Sequence, residues 1–329
     1  MTRPSLRSIA PALPMIIALL TVAFAAFQQP SDIPAWAFPG TRRDSTIADS
    51  TRLHRVPNSE ARFTLPQVVD LFAPPDWHPA GHPAMPDVVA RGRKPKVFAC
   101  AYCHLPNGLG RPENATLSGL SEDYIIAQLE AMRTSARQTA LPDWIPSNSM
   151  HTVAANATEA EVAAAARYFS ALRPAPRVRV IEATRVPLTR QAGFVYARIP
   201  GKGTEPIGSR IVEGPPDFER HELHDDAMTY LAYVPPGSIK RGRSIARTGT
   251  NGVATACITC HGPTLAGVGP IPPLAGRYPT YIVRQLVAFK TGARSTPASQ
   301  PMQVVAGGLS VDDMIAVAAY AASLRPAAH

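Results

Sequence analysis

Cys257-Ile258-Thr259-Cys260-His261 decides the fold of this 329-residue chain, and Cys100-Ala101-Tyr102-Cys103-His104 repeats its pattern. Two cysteines three apart put two thiols on one turn of chain, and the histidine that follows lies beside both. The thiols can then form thioether bonds to the two vinyl groups of a porphyrin while the imidazole ligates the iron, which is the signature of c-type haem attachment. The two motifs use all four cysteines of the protein. A redox-active dithiol would leave His104 and His261 without a role. Compact zinc modules place their Cys-x-x-Cys pairs much closer than the 157 residues separating these. Two covalently attached haem c groups are therefore expected, one on Cys100, Cys103 and His104 and one on Cys257, Cys260 and His261.

Outward from the motifs the chain repeats itself. At an offset of 157, residues 100–137 match 257–294 at 15 of 38 positions, enough to fix the register of the two copies. Matched pairs beyond the motif include Leu117 with Leu274, Gly119 with Gly276, Tyr124 with Tyr281, Gln128 with Gln285 and Arg137 with Arg294. Tyr124–Arg133 and Tyr281–Lys290 are apolar at helical spacing, so each copy has a middle helix. The offset then falls to 152, where Met150 meets Met302, Tyr168 meets Tyr320, and Leu172-Arg173-Pro174 meets Leu324-Arg325-Pro326. Each copy ends in an alanine-rich helix, about 158–172 and 310–324. Thr158-x-x-Glu161 caps the first of these and Ser310-x-x-Asp313 the second. Short first helices are expected over 86–93 and 238–247, carrying Gly92 and Gly242.

A proximal histidine leaves the sixth iron position open. Met150 follows His104 by 46 residues and Met302 follows His261 by 41, each eight residues before the cap of its last helix. Met132 and Met314 lie on apolar helical faces as packing residues. Met150 and Met302 instead occupy equivalent positions, expected in loops, although the chain around them has diverged. A soft thioether suits haem iron, which makes these two the candidate axial ligands. His151 is the rival in the first copy.

Composition sets the context. Hydrophobic residues at 45% and charged residues at 17% describe a globular chain, while 35 prolines imply much irregular structure. Arg3 and Arg7, an apolar run from Ile9 to Phe27 and the small residues around Ala25 form a secretory signal over 1–25. Pro11 and Pro14 shorten the run below the ~20 residues of a spanning helix, and an uncleaved anchor is the other reading. Export to the periplasm, with attachment to the inner membrane through this segment as an option, follows. The formal charge of +9 falls to +7 without the two signal arginines, and haem propionates lower it further. A mildly basic surface suits acidic partner proteins or an anionic membrane. No segment has the pattern of a nucleic-acid module.

Between and before the copies lie two further regions. Residues 26–84 read as a proline-rich arm over the first copy, with Asp76–Pro83 as a turn-rich lid packing Trp77; Pro79 and Pro83 argue against a helical metal pair at His78 and His82. Residues 175–235 are too long for a bare linker and contain alternating stretches at Arg177–Ile181 and Gly193–Ala197, so a small β-containing segment is expected there. Its His221, His224 and Met228 follow no ligand spacing and read as packing residues.

The pattern resembles the class I cytochromes c, and the tandem arrangement is similar to the dihaem cytochrome c-four group. The residues that carry the resemblance are Cys257-x-x-Cys260-His261-Gly262, Pro272-x-Leu274-Ala275-Gly276, Tyr281-x-x-x-Gln285-Leu286, Gly292-x-Arg294, Met302 and Ala318-x-Tyr320. It implies a mainly α fold of two tandem class I cytochrome c domains, 85–174 and 236–329, each with three to four helices around its haem. It also implies Gly242 packed on Tyr320, Gly92 on Tyr168, and a hydrogen bond from His261 to the Pro272 carbonyl. The first copy departs at Leu105, Ala115 and Ser135, which stand where the second has Gly262, Pro272 and Gly292. The function implied is electron transfer, without catalytic residues, between redox partner proteins, a dehydrogenase donor and an oxidase or reductase acceptor, through two His/Met-ligated haems. The diverged first copy keeps two alternatives open: a dihaem redox enzyme of peroxidase or thiosulfate-oxidising type with one open haem, and a cytochrome subunit of a dehydrogenase complex. A His/Cys-ligated active haem is excluded because no cysteine is left for it.

Overall fold

Helix caps fix the two repeats. A computed structural model describes residues 1, 33–40, 47, 51–250 and 252–327; apart from Met1, the expected signal segment lies outside the described residues. Those from Ile33 onward belong to one compact unit. The arm contains α1 (Leu65–Val68), and the first repeat contains α2 (Asp87–Ala90), α3 (Cys100–His104), α4 (Glu122–Arg133), α5 (Ile145–Asn156) and α6 (Glu159–Ser170). The middle segment carries β1 (Val178–Glu182), β2 (Arg185–Pro187), β3 (Thr189–Ala192), β4 (Val195–Arg198), β5 (Thr204–Pro206), β6 (Val212–Gly214), α7 (Phe218–Glu222) and β7 (Tyr230–Val234). The second repeat has α8 (Ser238–Thr248), α9 (Ile258–His261), α10 (Pro279–Lys290), α11 (Gln300–Gly307) and α12 (Val311–Ser323). The fold is thus mainly α, two repeats that each carry a Cys-x-x-Cys-His motif, with a small β segment between them.

Both expected capping boxes form. Thr158 accepts from the Glu161 amide and Ser310 from the Asp313 amide, and each acidic side chain returns to the cap's own amide. These bonds satisfy donors that a helix start leaves without partners. In the second repeat α8 crosses α12 at Gly242, where a Cβ would stand 1.9 Å from the Ala316 carbonyl and 2.8 Å from Tyr320 Cβ. Only glycine permits so close an approach, as the resemblance implied.

The first repeat differs here. Its α2 is a single turn, and Gly92 lies beyond it at φ +62°, where a Cβ would meet the Val97 carbonyl and the Ala99 amide rather than Tyr168. The expected Gly92–Tyr168 packing is therefore replaced. Val88 and Val89 of α2 pack in one core with Ala165, Tyr168 and Phe169, and the Tyr168 hydroxyl donates to the Pro106 carbonyl at 2.7 Å.

In the middle segment β1 runs parallel to β7, which pairs antiparallel with β6; β2–β5 and β3–β4 form antiparallel pairs. The arm lies against the first repeat as expected: the Ala99 amide donates to the Leu71 carbonyl at 2.9 Å, and the Tyr168 hydroxyl lies 3.0 Å from His82 of the lid. Trp77 is instead buried with Val56, Val68 and Leu223, and its Nε1 donates to the Leu223 carbonyl at 2.7 Å, so this side chain ties the lid to the middle segment. Residues 33–40 reach the core of the second repeat, where Ala37 and Phe38 are buried. His221 hydrogen-bonds Tyr230 at 2.9 Å, and Met228 is buried with Tyr230 and Tyr278. Both have the packing roles expected of them.

Candidate haem sites and their junction

Each attachment histidine is prepared in the same way. His104 Nδ1 donates to the Ala115 carbonyl at 2.8 Å, and His261 Nδ1 to the Pro272 carbonyl at 2.9 Å. The carbonyl accepts, so the proton sits on Nδ1 and leaves Nε2 as the ligating lone pair. Replacing proline by Ala115 costs nothing, because the bond uses only the backbone oxygen. Both rings are buried, and burial holds His104 well below its ordinary pKa, at about 4, and lowers His261 as well. Both imidazoles are neutral at pH 7, as a metal ligand must be.

Cys100, Cys103 and His104 line an apolar cleft of about 630 Å³ together with Val97, Leu117, Ile125, Val162 and Met150. A second lobe of about 940 Å³ shares His104, Leu117, Ile125 and Met150 and extends to Arg137, Tyr281 and Arg284. Met150 faces both lobes. His151 lines neither lobe; its Nδ1 bonds the Met132 carbonyl at 3.2 Å, which leaves its Nε2 without a hydrogen bond among the described residues. Met150 lies in α5 and Met302 in α11, so neither stands in the loop that the sequence suggested. Each is on the short helix before its repeat's last helix. Met302 packs on the core of the second repeat, as do Cys257, Ile258 and Leu274.

The repeats meet through residues that the offset had paired. Arg137 donates to Gln128 at 2.9 Å, to Tyr281 at 3.1 Å and to Gln285 at 3.3 Å. Arg294 donates to Gln285 at 3.0 Å and to Gln128 at 2.7 Å. The Gln138 amide reaches the Ala293 carbonyl at 2.6 Å, and the Ser295 amide the Ala136 carbonyl at 2.8 Å. The junction is a crossed Gln–Arg lattice with approximate twofold symmetry. Arg284 lies beside it, stacked 4.5 Å over the Trp144 ring and bonded to the Ala37 and Pro112 carbonyls. Burial pushes its guanidinium down to about 10.

These residues fit haem c. The first cleft offers two thiols, a correctly protonated imidazole, a thioether and apolar walls. Its second lobe is lined by the guanidinium groups Arg137 and Arg284, a match for two propionates. The sequence did not single out Arg284 or the buried Glu213, whose Oε2 accepts from the Thr280 amide at 3.0 Å. One signal was present: the position equivalent to Arg284 in the first repeat is Ala127, on a helix read only for its apolar spacing.

A family model for cytochrome c matches residues 89–173 and 246–325, together half of the chain. The chain belongs to the cytochrome c family. Its two matched segments are the two repeats, which supports a tandem dihaem cytochrome similar to the cytochrome c4 group. This cytochrome is 28% identical to a thiosulfate dehydrogenase electron acceptor of Thiomonas intermedia, over 70% of the chain and 80% of that protein. It is 32% identical to cytochrome c4 of Pseudomonas aeruginosa over 29% of the chain and 49% of that protein. Among solved structures, a thiosulfate dehydrogenase from Marichromatium purpuratum aligns at 28% identity and a TM-score of 0.45, covering 70% of this chain and 37% of that one. Cytochrome c4 of Acidithiobacillus ferrooxidans aligns at 26% identity and a TM-score of 0.45, covering 68% of this chain and 98% of that one.

Proposed function

We propose that this cytochrome carries electrons between exported or membrane-bound redox proteins, with each haem iron closed between a histidine and a methionine: His104 with Met150, and His261 with Met302. The observation that carries the reading is that Met150 lines the same apolar cleft as Cys100, Cys103 and His104, whereas His151 does not. Haem c supplies a one-electron ferric/ferrous couple. The chain's residues decide what that couple can do. The Nδ1 bonds of His104 and His261 fix each ring and strengthen Nε2 as a ligand. A thioether in the sixth position raises the potential and excludes substrate. Apolar walls at Val97, Ile125 and Val162 exclude water and disfavour extra positive charge.

The relatives named as thiosulfate dehydrogenase electron acceptors support a dehydrogenase as the donor, which also fits a cytochrome subunit of such a complex. The competing enzyme reading needs one open iron. Replacing Met302 by Ala should lower the potential of one haem and make that iron bind carbon monoxide, and Met150→Ala should do the same for the other. Redox titration and carbon monoxide difference spectra measure both effects. Carbon monoxide binding by the unmodified protein would favour the enzyme instead.

A further inference from the structure

The second repeat builds part of the first haem cleft. The larger lobe is lined by His104 and Met150 of the first repeat and by Tyr281, Arg284, Gln285 and Ala288 of α10. Three charged side chains share that lining: Glu113, Arg137 and Arg284. Glu113 is paired with Arg111 at 3.0 Å. Arg137 has an equivalent in the second repeat, Arg294, and both belong to the junction lattice. Arg284 has no such equivalent, since Ala127 stands at its place in the first repeat. It is 3% exposed, and its hydrogen bonds among the described residues go to the neutral Ala37 and Pro112 carbonyls. Burial lowers its pKa to about 10, with Glu213 and Glu113 pulling the other way, so the guanidinium is still charged at pH 7.

The arm holds this charge in place. The Ala37 carbonyl accepts from Arg284 Nη1 at 2.8 Å, and the Pro39 carbonyl accepts from Trp144 Nε1 at 3.4 Å. Trp144 is the ring on which Arg284 stacks, and Phe38 meets it edge-on at 5.6 Å. The same short stretch is tied to the middle segment. The Tyr196 hydroxyl donates to the Trp36 carbonyl at 3.1 Å, and the Gly40 amide donates to Gln191 Oε1 at 2.6 Å. These arm residues precede both segments that the cytochrome c model matches, 89–173 and 246–325. Trp144 also lacks an equivalent: it stands six residues before Met150, and Thr296 stands six before Met302. Arm, ring and cation therefore converge on one cleft and have no counterpart at the other.

We infer that residues 36–40 form a strap that fixes the Arg284 guanidinium at the first haem cleft, where its charge holds the potential of the first haem above that of the second. Ferric iron carries one more positive charge than ferrous iron, so a nearby cation favours the reduced form. Behind the strap the interaction acts through a medium less polar than water, where it is stronger than at the surface and little screened by salt. Arg284 is a tuning residue and the strap positions it. The inference deepens the carrier reading and rests on it: an electron that reaches either iron settles on the first.

Potentiometric titration of the complete dihaem protein tests this. Cys260→Ser leaves one vinyl group of the second haem unbonded and displaces its absorption band, so the two haems are followed separately whatever their sixth ligands are. The first haem is expected to have the higher midpoint. Arg284→Met should lower it by about tenfold in the ferrous-to-ferric ratio at a fixed potential, about 59 mV for one electron, and shift the second haem much less. Arg284→Lys keeps the charge and should retain most of the elevation. Phe38→Ala removes the ring that packs on Trp144 and admits water beside Arg284, so it should narrow the gap between the midpoints. Arg243→Gln removes an exposed charge of α8 and should move neither midpoint. Absorbance of both haems shows which variants are folded, and Arg284→Lys with Phe38→Ala decide the matter if Arg284→Met is not. A second haem of higher midpoint would overturn the inference, as would equal shifts in both haems or Arg284→Lys falling as far as Arg284→Met. An unchanged gap in Phe38→Ala would overturn the role of the strap. Carbon monoxide binding by the unmodified protein would count against the carrier reading alone, since the order of the midpoints is read independently of it.

Discussion

Ser135 and Leu105 stand at φ 58° and 63°, where the second repeat has Gly292 at 73° and Gly262 at 80°. Both substitutions force an L side chain into backbone that favours glycine, yet their energetics differ. Ser135 is exposed, so its side chain gains little, while the left-handed conformation costs about 1–2 kcal/mol. Glycine would lose about 0.5–1 kcal/mol of that advantage through the greater freedom of its unfolded chain. Ser135→Gly should therefore stabilise the protein by about 0.5 kcal/mol, read as a higher midpoint in denaturant at unchanged slope. Leu105 is 1% exposed, and removing a buried leucine side chain costs about 2–5 kcal/mol. Leu105→Gly should destabilise despite relieving the strain of its positive φ. A more stable Leu105→Gly protein would mean that the strain outweighs the packing. Both departures were legible as residue differences between repeats, but their opposite signs required exposure, which one sequence does not contain.

At the scale of elements, the repeat placed the middle and last helices to within about two residues, because caps and apolar spacing are local properties. It misplaced what depends on distant contacts. Gly92 and Gly242 look alike in sequence, each on a short helix before a haem motif. Only Gly242 lies at a helix crossing, since α8 has three turns to lay along α12 while α2 ends after one. The methionine helices were hidden for a related reason: Pro146 and Pro301 suggest loops, but each stands in the first turn of its helix, where a missing N–H costs nothing. At Gly242 a Cβ would collide with backbone, at 1.9 Å from the Ala316 carbonyl, and neither helix can yield without losing its packing. Gly242→Ala should thus cost about 3 kcal/mol and separate α8 from α12, measured by thermal unfolding and by faster amide exchange in both helices. Gly92→Ala should also destabilise, but through the turn after α2, where its Cβ would stand 2.2 Å from the Val97 carbonyl, rather than at a helix crossing.

At the scale of the whole molecule, the middle segment joins the repeats through groups whose charge depends on pH. Glu213 of β6 is 1% exposed, and its Oε2 accepts from the Thr280 amide and hydroxyl at the start of α10. Burial raises its carboxyl from 4.5 to about 7, against the opposing pull of the Thr280 bonds and of Arg284, with Glu113 adding repulsion. The folded protein therefore binds this proton more tightly than the unfolded chain does. Its contribution to stability is complete below about pH 4.5 and is lost as the pH rises through about 7. A shift of this size corresponds to about 3 kcal/mol across that window. Glu213→Gln keeps an acceptor for the Thr280 amide but removes the proton. The variant should match the wild type near pH 4.5 and exceed it by up to about 3 kcal/mol above pH 7, measured as the difference between their urea midpoints across the pH range. Parallel profiles would place the titration elsewhere, and a variant less stable at every pH would show that the carboxylate's attraction to Arg284 outweighs its burial.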